Sequence, residues 1–385
     1  MKPKKILMVA GEVSGDLHGA HLVEALHRID PEIQFLGVGG EKLVRAGMKI
    51  LFPSHSLSVV GIIEVLPKIG VILKALRVIK QSLENEKPDL VILVDFPDFN
   101  LRVAKYANQR KVPVFYYISP QVWAWRSGRV RQIHRRVRKM LVLFPFEVPI
   151  YERAGVPVEW VGHPLLDIVK PTLSRKEVFE RFGLDSQRPV LGLLPGSRMS
   201  EIHRLLPILL GTVPLLQREI PSLQCIIPLA SSIPKAMVSP LIEKASVPVL
   251  LVEGQAYDVM NISDLLITAS GTATLEGAIL GKPMVIIYKV SRLSYWIGRA
   301  LIRVDHIGLA NLVAGRRIAP ELIQEDANPK RIAEETLRIL KTPGLLQQMG
   351  ESMSEVRSRL GEPGATDRAA RIIHDFLNSE MPKVN

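Results

Sequence analysis

Apolar residues along this chain fall mostly into short continuous runs, and the segments between the runs have helical period. Continuous apolar runs are typical of parallel strands that are covered on both faces. Leu22, Leu26 and Ile29 recur at helical spacing, which predicts a helix over 17–29 with Asp16 as its N-cap. The alternation predicts right-handed βαβ units. The predicted strands are 6–10, 35–38, 90–94, 114–118 and 140–144 in the first half and 190–194, 224–228, 249–252, 265–268 and 284–288 in the second.

One local pattern occurs twice: residues 4–16 and 188–202 both read as a buried strand, a loop with glycine and serine, and a helix. Such a turn places free backbone N–H groups at a helix start, where anions bind. The repeat predicts an α/β protein of two doubly wound, Rossmann-like domains that face each other across a cleft. This architecture commonly binds a nucleotide or a nucleotide-sugar.

The domain boundaries follow from a change in the pattern after the fifth run, where 171–187 reads as a linker with a helix that ends at Gly183. We predict a first domain over 1–170 and a second over 171–360. The segment 361–385 contains an amphipathic stretch and is predicted to return to the first domain as a helix.

The charge is unevenly distributed, although the whole chain is basic with a formal charge of +12. No acidic residue lies between Asp98 and Glu147, an interval that contains eleven lysines and arginines. Such an interval is typical either of a surface that binds polyanions, such as anionic lipid, a phosphorylated substrate or nucleic acid, or of a solvated basic helix.

Two apolar segments indicate contact with a membrane surface, with a buried core helix pair as the alternative for the first. They are 57–79, interrupted by Pro67 and Gly70, and 293–304, where Tyr295 and Trp296 lie among arginines. Cys225 is the only cysteine, which agrees with a reducing compartment. We therefore expect a cytoplasmic protein that associates peripherally with the inner membrane.

Two carboxylates follow the strand predicted at 90–94, in the motif VDFPDFN. Ligands of α/β sheets bind at the carboxyl ends of strands, so Asp95 could accept a proton from a hydroxyl, and Asp98 could orient that group or be the base itself. Simple capping of the loop is the alternative. The chain shows no D-x-D pair and no zinc-ligand spacing, so we predict no metal and no cofactor.

Two motifs in the second half are candidates for binding a diphosphate and a ribose. In PGSR, Gly196 would let the backbone approach a diphosphate, Ser197 would donate to it and Arg198 would neutralise it. The alternative is an ordinary turn with a surface arginine. In SGTATLE, the helix start and Thr272 would meet phosphate and Glu276 would accept ribose hydroxyls; a Ser/Thr cap with a first-turn acid is the alternative.

The motif SPQVWAWR follows the strand predicted at 114–118 and places two indole rings at the expected ligand edge. Trp123 and Trp125, followed by Arg126, could line a pocket for an acyl chain or a sugar. Alternatively, both rings pack one domain against the other.

These motifs, taken in order, resemble the lipid-A-disaccharide synthase family, inverting glycosyltransferases of the GT-B type. The resemblance covers essentially the whole chain. It rests on VAGEVSGD, GIIEVLP, VDFPDFN, YYISPQVWAWR, LFPFE, VGHP, LLPGSR, ASGTATLE and NLVAGR.

The resemblance implies a reaction between UDP-2,3-diacylglucosamine and 2,3-diacylglucosamine 1-phosphate, which gives a β(1→6) disaccharide 1-phosphate and UDP. It also implies roles for residues, with Asp95 as the base and with Glu12 as a rival base because it too follows a strand. The implied binding residues are Ser14 and Gly15 in the first domain, and Gly196, Ser197, Ser270, Gly271, Thr272, Glu276 and Asn311 in the second. Arg198 and the N–H groups near Gly196 and Gly271 would stabilise the departing diphosphate.

Two other functions fit parts of the sequence. One is another UDP-hexosamine transferase or an epimerase of the same architecture, against which the apolar segment 57–79 argues. The other is RNA binding by the basic interval, which lacks aromatic residues interleaved with most of its arginines. We therefore expect no nucleic-acid partner. Acyl chain length and the choice between monomer and homodimer stay open.

Overall fold

The computed structural model describes residues 3–57, 69–123, 128–245, 247–291, 295–296 and 305–379. The chain divides into two compact units. The first comprises Met1–Pro164 together with Glu362–Asn385, and the second comprises Leu165–Gly361. Each unit contains one sheet, and every strand pairing among the described residues is parallel.

The first unit has a seven-stranded sheet in the order β3-β2-β1-β4-β5-β6-β7. Right-handed connections around this order place helices on both faces of the sheet. Its elements up to Pro164 are β1 (Lys5–Ala10), α1 (Val13–Ile29), β2 (Gln34–Gly39), α2 (Glu41–Arg45), β3 (Lys49–Pro53), α3 (Ile69–Asn85), β4 (Leu90–Val94), α4 (Pro97–Gln109), β5 (Val114–Tyr117), α5 (Arg129–Arg136), β6 (Lys139–Val142), α6 (Val148–Glu152) and β7 (Val158–Trp160).

The second unit has a six-stranded sheet in the order β10-β9-β8-β11-β12-β13. Its elements are α7 (Leu165–Ile168), α8 (Arg175–Phe182), β8 (Val190–Leu194), α9 (Met199–Glu219), β9 (Gln224–Leu229), α10 (Lys235–Ala245), β10 (Val249–Glu253), α11 (Ala256–Ile262), β11 (Leu265–Ala269), α12 (Thr272–Ile279), β12 (Met284–Tyr288), α13 (Leu309–Ala314), β13 (Glu321–Ile323), α14 (Pro329–Lys341) and α15 (Leu345–Arg359). The chain then returns to the first unit as α16 (Ala365–Ser379).

The predicted α/β class with two parallel sheets is confirmed, and all ten predicted strands are present within a few residues. Strands β3, β7 and β13 were not predicted; they are edge strands of only five, three and three residues. Short edge strands are only partly buried, so they lack the continuous apolar run that marks a central parallel strand.

The return of the C-terminal helix to the first unit is also confirmed, since α16 packs on α1. Arg28 forms an ion pair with Asp367 at 2.6 Å, and the rings of Phe115 and Phe376 lie 4.7 Å apart between centroids. The apolar face of the helix is buried at Ala369, Ala370, Ile373 and Leu377. This packing fixes the end of the chain to the same unit as its beginning.

The prediction for Asp16 was wrong. Helix α1 begins at Val13, so Asp16 lies in its first turn and is not its N-cap. The Asp16 carboxylate instead accepts hydrogen bonds from the backbone N–H groups of Gly40 at 2.6 Å and Lys42 at 3.1 Å. It therefore satisfies free donors at the start of α2 and holds the loop after β2 against α1.

Helix α9 is long and apolar enough to cross a membrane by length and composition alone. In the second unit, one side of it is buried in the core, including Leu205, Leu206, Leu209 and Val213. It also contains Pro207 and Pro214. We therefore assign α9 as a core helix of this unit.

Gly37 lies where β2 pairs with β1, and we expect a substitution there to destabilise the first unit strongly. Its φ is +147°, and a Cβ there would lie 1.9 Å from the backbone oxygen of Met8. We expect Gly37→Ala to lower the free energy of unfolding by at least about 3 kcal/mol, because the two strands would have to separate. Urea unfolding and the yield of soluble protein measure this effect.

The matched control is Gly70→Ala, because Gly70 lies in α3 with no atom within 4 Å of an added Cβ. The same chemical change there should be neutral or stabilising by up to ~1 kcal/mol. Equal unfolding midpoints for the two variants would refute the assigned close approach of β2 to β1.

Candidate active site

Each sheet has a point where the strand order reverses, and four motifs of the sequence, VAGEVSGD, VDFPDFN, PGSR and SGTATLE, lie at these two points. In the first unit, β1 lies beside β4, and Ala10 at the end of β1 pairs with Val94 at the end of β4. In the second unit, β8 lies beside β11, and Leu194 pairs with Thr268. Ligands of open parallel sheets bind outside the carboxyl ends of strands at such a reversal. Each unit therefore has its own candidate ligand site.

The turn that carries Asp95 is held in an unusual backbone conformation. Asp95 and Phe96 have φ values of +45° and +49°, which non-glycine residues rarely adopt. The Asp95 carbonyl accepts hydrogen bonds from the Asn100 amide and the Tyr116 hydroxyl, both at 2.6 Å. At Gly11 a Cβ would lie 2.2 Å from the Phe96 ring, so the glycine makes room for this turn. The surroundings thus fix Asp95 before any ligand binds.

The Asp95 carboxyl group is half-buried and has an unusual proton affinity. Burial and, second, the negative charge of Glu12 raise its pKa to about 6. A hydrogen bond from the Phe96 backbone opposes this increase. A carboxylate with a pKa near the working pH is well suited to act as a general base, because it is ionised and yet holds a proton well.

Asp98 lies in a different environment from Asp95, although only two residues separate them. It is exposed in the first turn of α4, and its Oδ1 lies 2.5 Å from Nη2 of the buried Arg129. The structure therefore brings Asp95 and Glu12 together at the reversal point and pairs Asp98 with a guanidinium group.

The other predicted site residues of the first unit differ in how exposed they are to solvent. Ser14 is exposed in the first turn of α1, and Gly15 is buried, with an ideal Cβ 3.6 Å from the Ala10 side chain. Trp123 is half-buried, and its indole Nε1 donates to Glu147 Oε1 at 3.3 Å. Trp125 and Arg126 lie outside the described residues.

The turn after β8 is occupied by a side chain of the protein itself. The backbone N–H groups of Ser197 and Arg198 donate to Oε2 of Glu201 at 3.0 and 3.2 Å. Gly196 has φ +112°, and a Cβ there would lie 2.2 Å from the same oxygen. These donors, which the sequence assigned to a diphosphate, therefore hold a carboxylate, while the Arg198 side chain is 62% exposed.

The helix start after β11 has free donors. Gly271 and Thr272 are exposed, and within the described part of the chain the N–H groups of Thr272 and Ala273 donate no hydrogen bond. The Ser270 hydroxyl instead donates to the Ile307 carbonyl at 3.1 Å. Free N–H groups and the helix dipole make this end of α12 suitable for an anion.

Glu276 lies one turn into α12 and is half-buried. The Tyr257 hydroxyl donates to its Oε1 at 3.4 Å, and burial raises its pKa. The carboxylate keeps further lone pairs that could accept hydroxyl hydrogen bonds from a ligand.

Asn311 is fully buried, and its amide group is used within the second unit. It donates to the Ala319 carbonyl and to Glu321 Oε1, and it accepts from the N–H groups of Ile318 and Ala319. Glu321 in turn accepts from the N–H groups of Ile307 and Gly308. Its contact with the nucleotide stays a prediction, and in this structure Asn311 supports the loops around β13.

Three residues with clear structural roles were missed by the sequence analysis. Asn100 and Tyr116 hold the Asp95 turn, and both look like ordinary core positions in the sequence. Glu147 is buried with a pKa raised to about 7, chiefly by burial. The LFPFE motif places it after β6, and this position was the only available signal. Among the described residues, no group of three or more His, Cys, Asp or Glu could hold a metal ion.

Solved structures with low sequence identity share this fold. Staphylococcus aureus MnaA in a structure with UDP is 16% identical, with a TM-score of 0.66 over 98% of this chain and 99% of that one. A UDP-GlcNAc 2-epimerase from Neisseria meningitidis bound to UDP-GlcNAc has a TM-score of 0.64 at 16% identity, over 98% and 100%. The kitacinnamycin glycosyltransferase has a TM-score of 0.63 at 16% identity, over 98% and 100%.

Similarity in sequence is far greater to one family. The lipid-A-disaccharide synthase of Geobacter sulfurreducens is 50% identical over 377 residues, 98% of each chain. That of Coxiella burnetii is 39% identical over 379 residues, 98% of this chain and 100% of the other. The family model described as lipid-A-disaccharide synthetase matches residues 6–374. The resemblance drawn from the nine motifs is thus confirmed, and the chain belongs to the lipid-A-disaccharide synthase family of glycosyltransferases.

Proposed function

We propose that the first unit binds the acceptor 2,3-diacylglucosamine 1-phosphate and supplies the base, and that the second unit binds UDP-2,3-diacylglucosamine. The products are the β(1→6) disaccharide 1-phosphate and UDP. The observation that carries this assignment is Asp95, a rigidly held carboxyl group with a raised pKa at the strand-order reversal of the first sheet.

In the proposed mechanism, the Asp95 carboxylate removes the proton from the 6-hydroxyl of the acceptor. That oxygen attacks C1 of the donor sugar on the face opposite UDP, and the bond between C1 and the diphosphate oxygen breaks. UDP leaves with the electron pair and C1 is inverted, so one base is sufficient. Glu12 contributes by keeping the pKa of Asp95 high, which makes Asp95 a stronger base.

Charge develops on the diphosphate as UDP leaves, and the second unit has the groups to stabilise it. The Arg198 guanidinium is exposed and the start of α12 has free N–H donors, so both could contact the diphosphate. Glu276 would accept the ribose hydroxyls. Glu201 would hold the turn that presents Arg198. Together these groups would stabilise the charge on the diphosphate without a metal ion.

We further propose that the protein associates peripherally with an anionic membrane surface. Ile69 and Leu73 are exposed aliphatic side chains on α3, and Lys74, Arg77 and Lys80 are exposed on the same helix. Of the predicted segment 57–79, residues 58–68 lie outside the described residues. The other predicted segment, 293–304, is described only at 295–296, where Trp296 is exposed. Apolar and basic side chains together suit a lipid surface.

The function is tested by a transfer assay with purified protein, both acylated substrates, detergent and EDTA. Wild-type protein should form disaccharide and UDP, and non-acylated UDP-GlcNAc should be a poor donor. Asp95→Asn should lower kcat by about 10²–10⁴-fold, since it removes the base, and should leave UDP affinity unchanged.

Asp98→Asn is the comparison variant for Asp95→Asn. Near-wild-type turnover by Asp95→Asn, with loss of activity in Asp98→Asn, would contradict the assignment of the base. Formation of disaccharide only after addition of Mg²⁺ would contradict the metal-free mechanism.

Arg198→Ala should reduce kcat/KM for the UDP donor by about 10²–10³-fold, or roughly 2–4 kcal/mol, if Arg198 stabilises the departing diphosphate. Steady-state kinetics and calorimetric titration with UDP measure this loss. Arg218→Ala, an exposed arginine at the other end of α9, is the matched control and should have wild-type kinetics. An unchanged rate in Arg198→Ala would remove this residue from the mechanism.

Leu73→Ser should weaken binding to vesicles that contain anionic phospholipid by about tenfold, because an inserted aliphatic side chain is lost. Val44→Ser is the matched control, since Val44 is 55% and Leu73 is 53% exposed. Vesicle co-sedimentation measures the difference. Equal binding by the two variants would contradict the assignment of α3 to the membrane surface.

A further inference from the structure

A row of aromatic side chains lies at the carboxyl edge of the first sheet, beyond the Asp95 turn. We call Trp123, Phe146, Phe144 and His163 the aromatic row. Trp123 meets Phe146 edge-on at 5.5 Å, Phe146 stacks on Phe144 at 5.1 Å, and Phe144 contacts His163 at 5.2 Å between ring centroids. Offset and edge-on contacts of this kind stabilise a fixed arrangement of rings.

The buried carboxyl group of Glu147 anchors one end of this row. Its Oε2 accepts from the Phe144 backbone N–H at 3.1 Å, three residues away, and so caps its own turn. Its Oε1 accepts from the Trp123 indole at 3.3 Å, 24 residues away in the chain. The Ser119 hydroxyl also bonds to this carboxyl group and lies 2.6 Å from the Tyr151 hydroxyl. One oxygen therefore serves local structure, and the other holds Trp123.

A glutamate is required for this arrangement because hydrogen-bond donors converge on both of its oxygens. Glutamine has only one acceptor oxygen, so it can satisfy the Phe144 N–H or the Trp123 indole but not both. Burying a carboxyl group costs free energy that a purely structural cap on an exposed turn would avoid. A buried acid at a ligand edge is therefore a candidate functional group.

The aromatic row is within reach of a substrate bound at Asp95. Strand β5 lies between β4, which precedes Asp95, and β6, which precedes Glu147. Neighbouring strands are about 4.8 Å apart, so the two carboxyl groups emerge from strands roughly 10 Å apart. Trp123 follows the strand between them.

We propose that Glu147 is a positioning residue that holds the Trp123 ring against the acceptor glycolipid, so that the aromatic row determines acceptor affinity. This inference rests on the proposed function. Trp123 contacts the apolar part of the acceptor, and Glu147 acts through Trp123 without touching the substrate.

The test is a double-mutant cycle with Glu147→Gln and Trp123→Phe. Each single variant should raise the acceptor KM by about tenfold, since Glu147→Gln weakens the hydrogen bond that fixes the indole and Trp123→Phe removes the indole itself. The donor KM and kcat should stay within about twofold of wild type, because neither residue contacts the donor or the reacting atoms. The acceptor KM of the double variant should be no higher than that of the single variant with the larger effect, because both changes remove the same contact with the acceptor.

Trp160→Phe is the matched control, because the Trp160 indole also makes a hydrogen bond in the first unit, to the Leu143 carbonyl at 3.0 Å. It should leave the acceptor KM unchanged. If Glu147→Gln does not fold, Trp123→Phe against Trp160→Phe decides the question.

Two results overturn the inference. The first is an acceptor KM that is unchanged in folded Trp123→Phe. The second is that the effects of the two changes on the acceptor KM are additive in the double variant. If wild-type protein forms no disaccharide from the acylated substrates, the proposed function fails and the inference falls with it. If wild-type protein turns over normally and the variants keep the wild-type acceptor KM, the inference is overturned but the proposed function stands.

Discussion

The parallel pairing of β1 with β4 brings the two carboxyl groups of the first candidate site together. Because Ala10 faces Val94, the loops that follow the two strands start side by side, and Glu12 comes close enough to raise the pKa of Asp95. The same pairing requires the room that Gly11 leaves for Phe96. On its other side β1 packs against β2 through the close approach at Gly37. The pKa of the Asp95 carboxyl group thus depends on the register of the central strands.

The two units share a topology but differ in charge at the equivalent position. At the reversal of the first sheet lie two carboxyl groups, which repel a diphosphate and favour removal of a proton. At the reversal of the second sheet lie an exposed Arg198 and the free N–H groups of α12, which attract a diphosphate. Glu201 fills the turn after β8, so the proposed anion site would consist of the Arg198 side chain and the start of a neighbouring helix. This difference supports the proposal that the first unit supplies the base and the second unit binds the nucleotide.

The sequence predicts features that depend on local pattern. The central strands, the helix that ends at Gly183 and the return of the C-terminal helix all follow from continuous or periodic apolar residues. It does not predict long-range partners of polar side chains. Nothing near Asp98 shows that Arg129, 31 residues away, would pair with it, and Asp16 caps a helix that begins 25 residues later. Glu147 was missed for the same reason, since its partner Trp123 lies 24 residues away in the chain.

The central claim is that Asp95 is the base and that Glu12 tunes it. The most direct measurement is the pH dependence of kcat/KM for the acceptor in wild type and in Glu12→Gln. If Asp95 is the base, activity requires its carboxylate form, so activity of the wild type should fall as the pH drops through about 6. Removing the negative charge of Glu12 should lower the pKa of Asp95 and move this acid limb to lower pH. A limb that stays in place or moves to higher pH in Glu12→Gln would contradict the account.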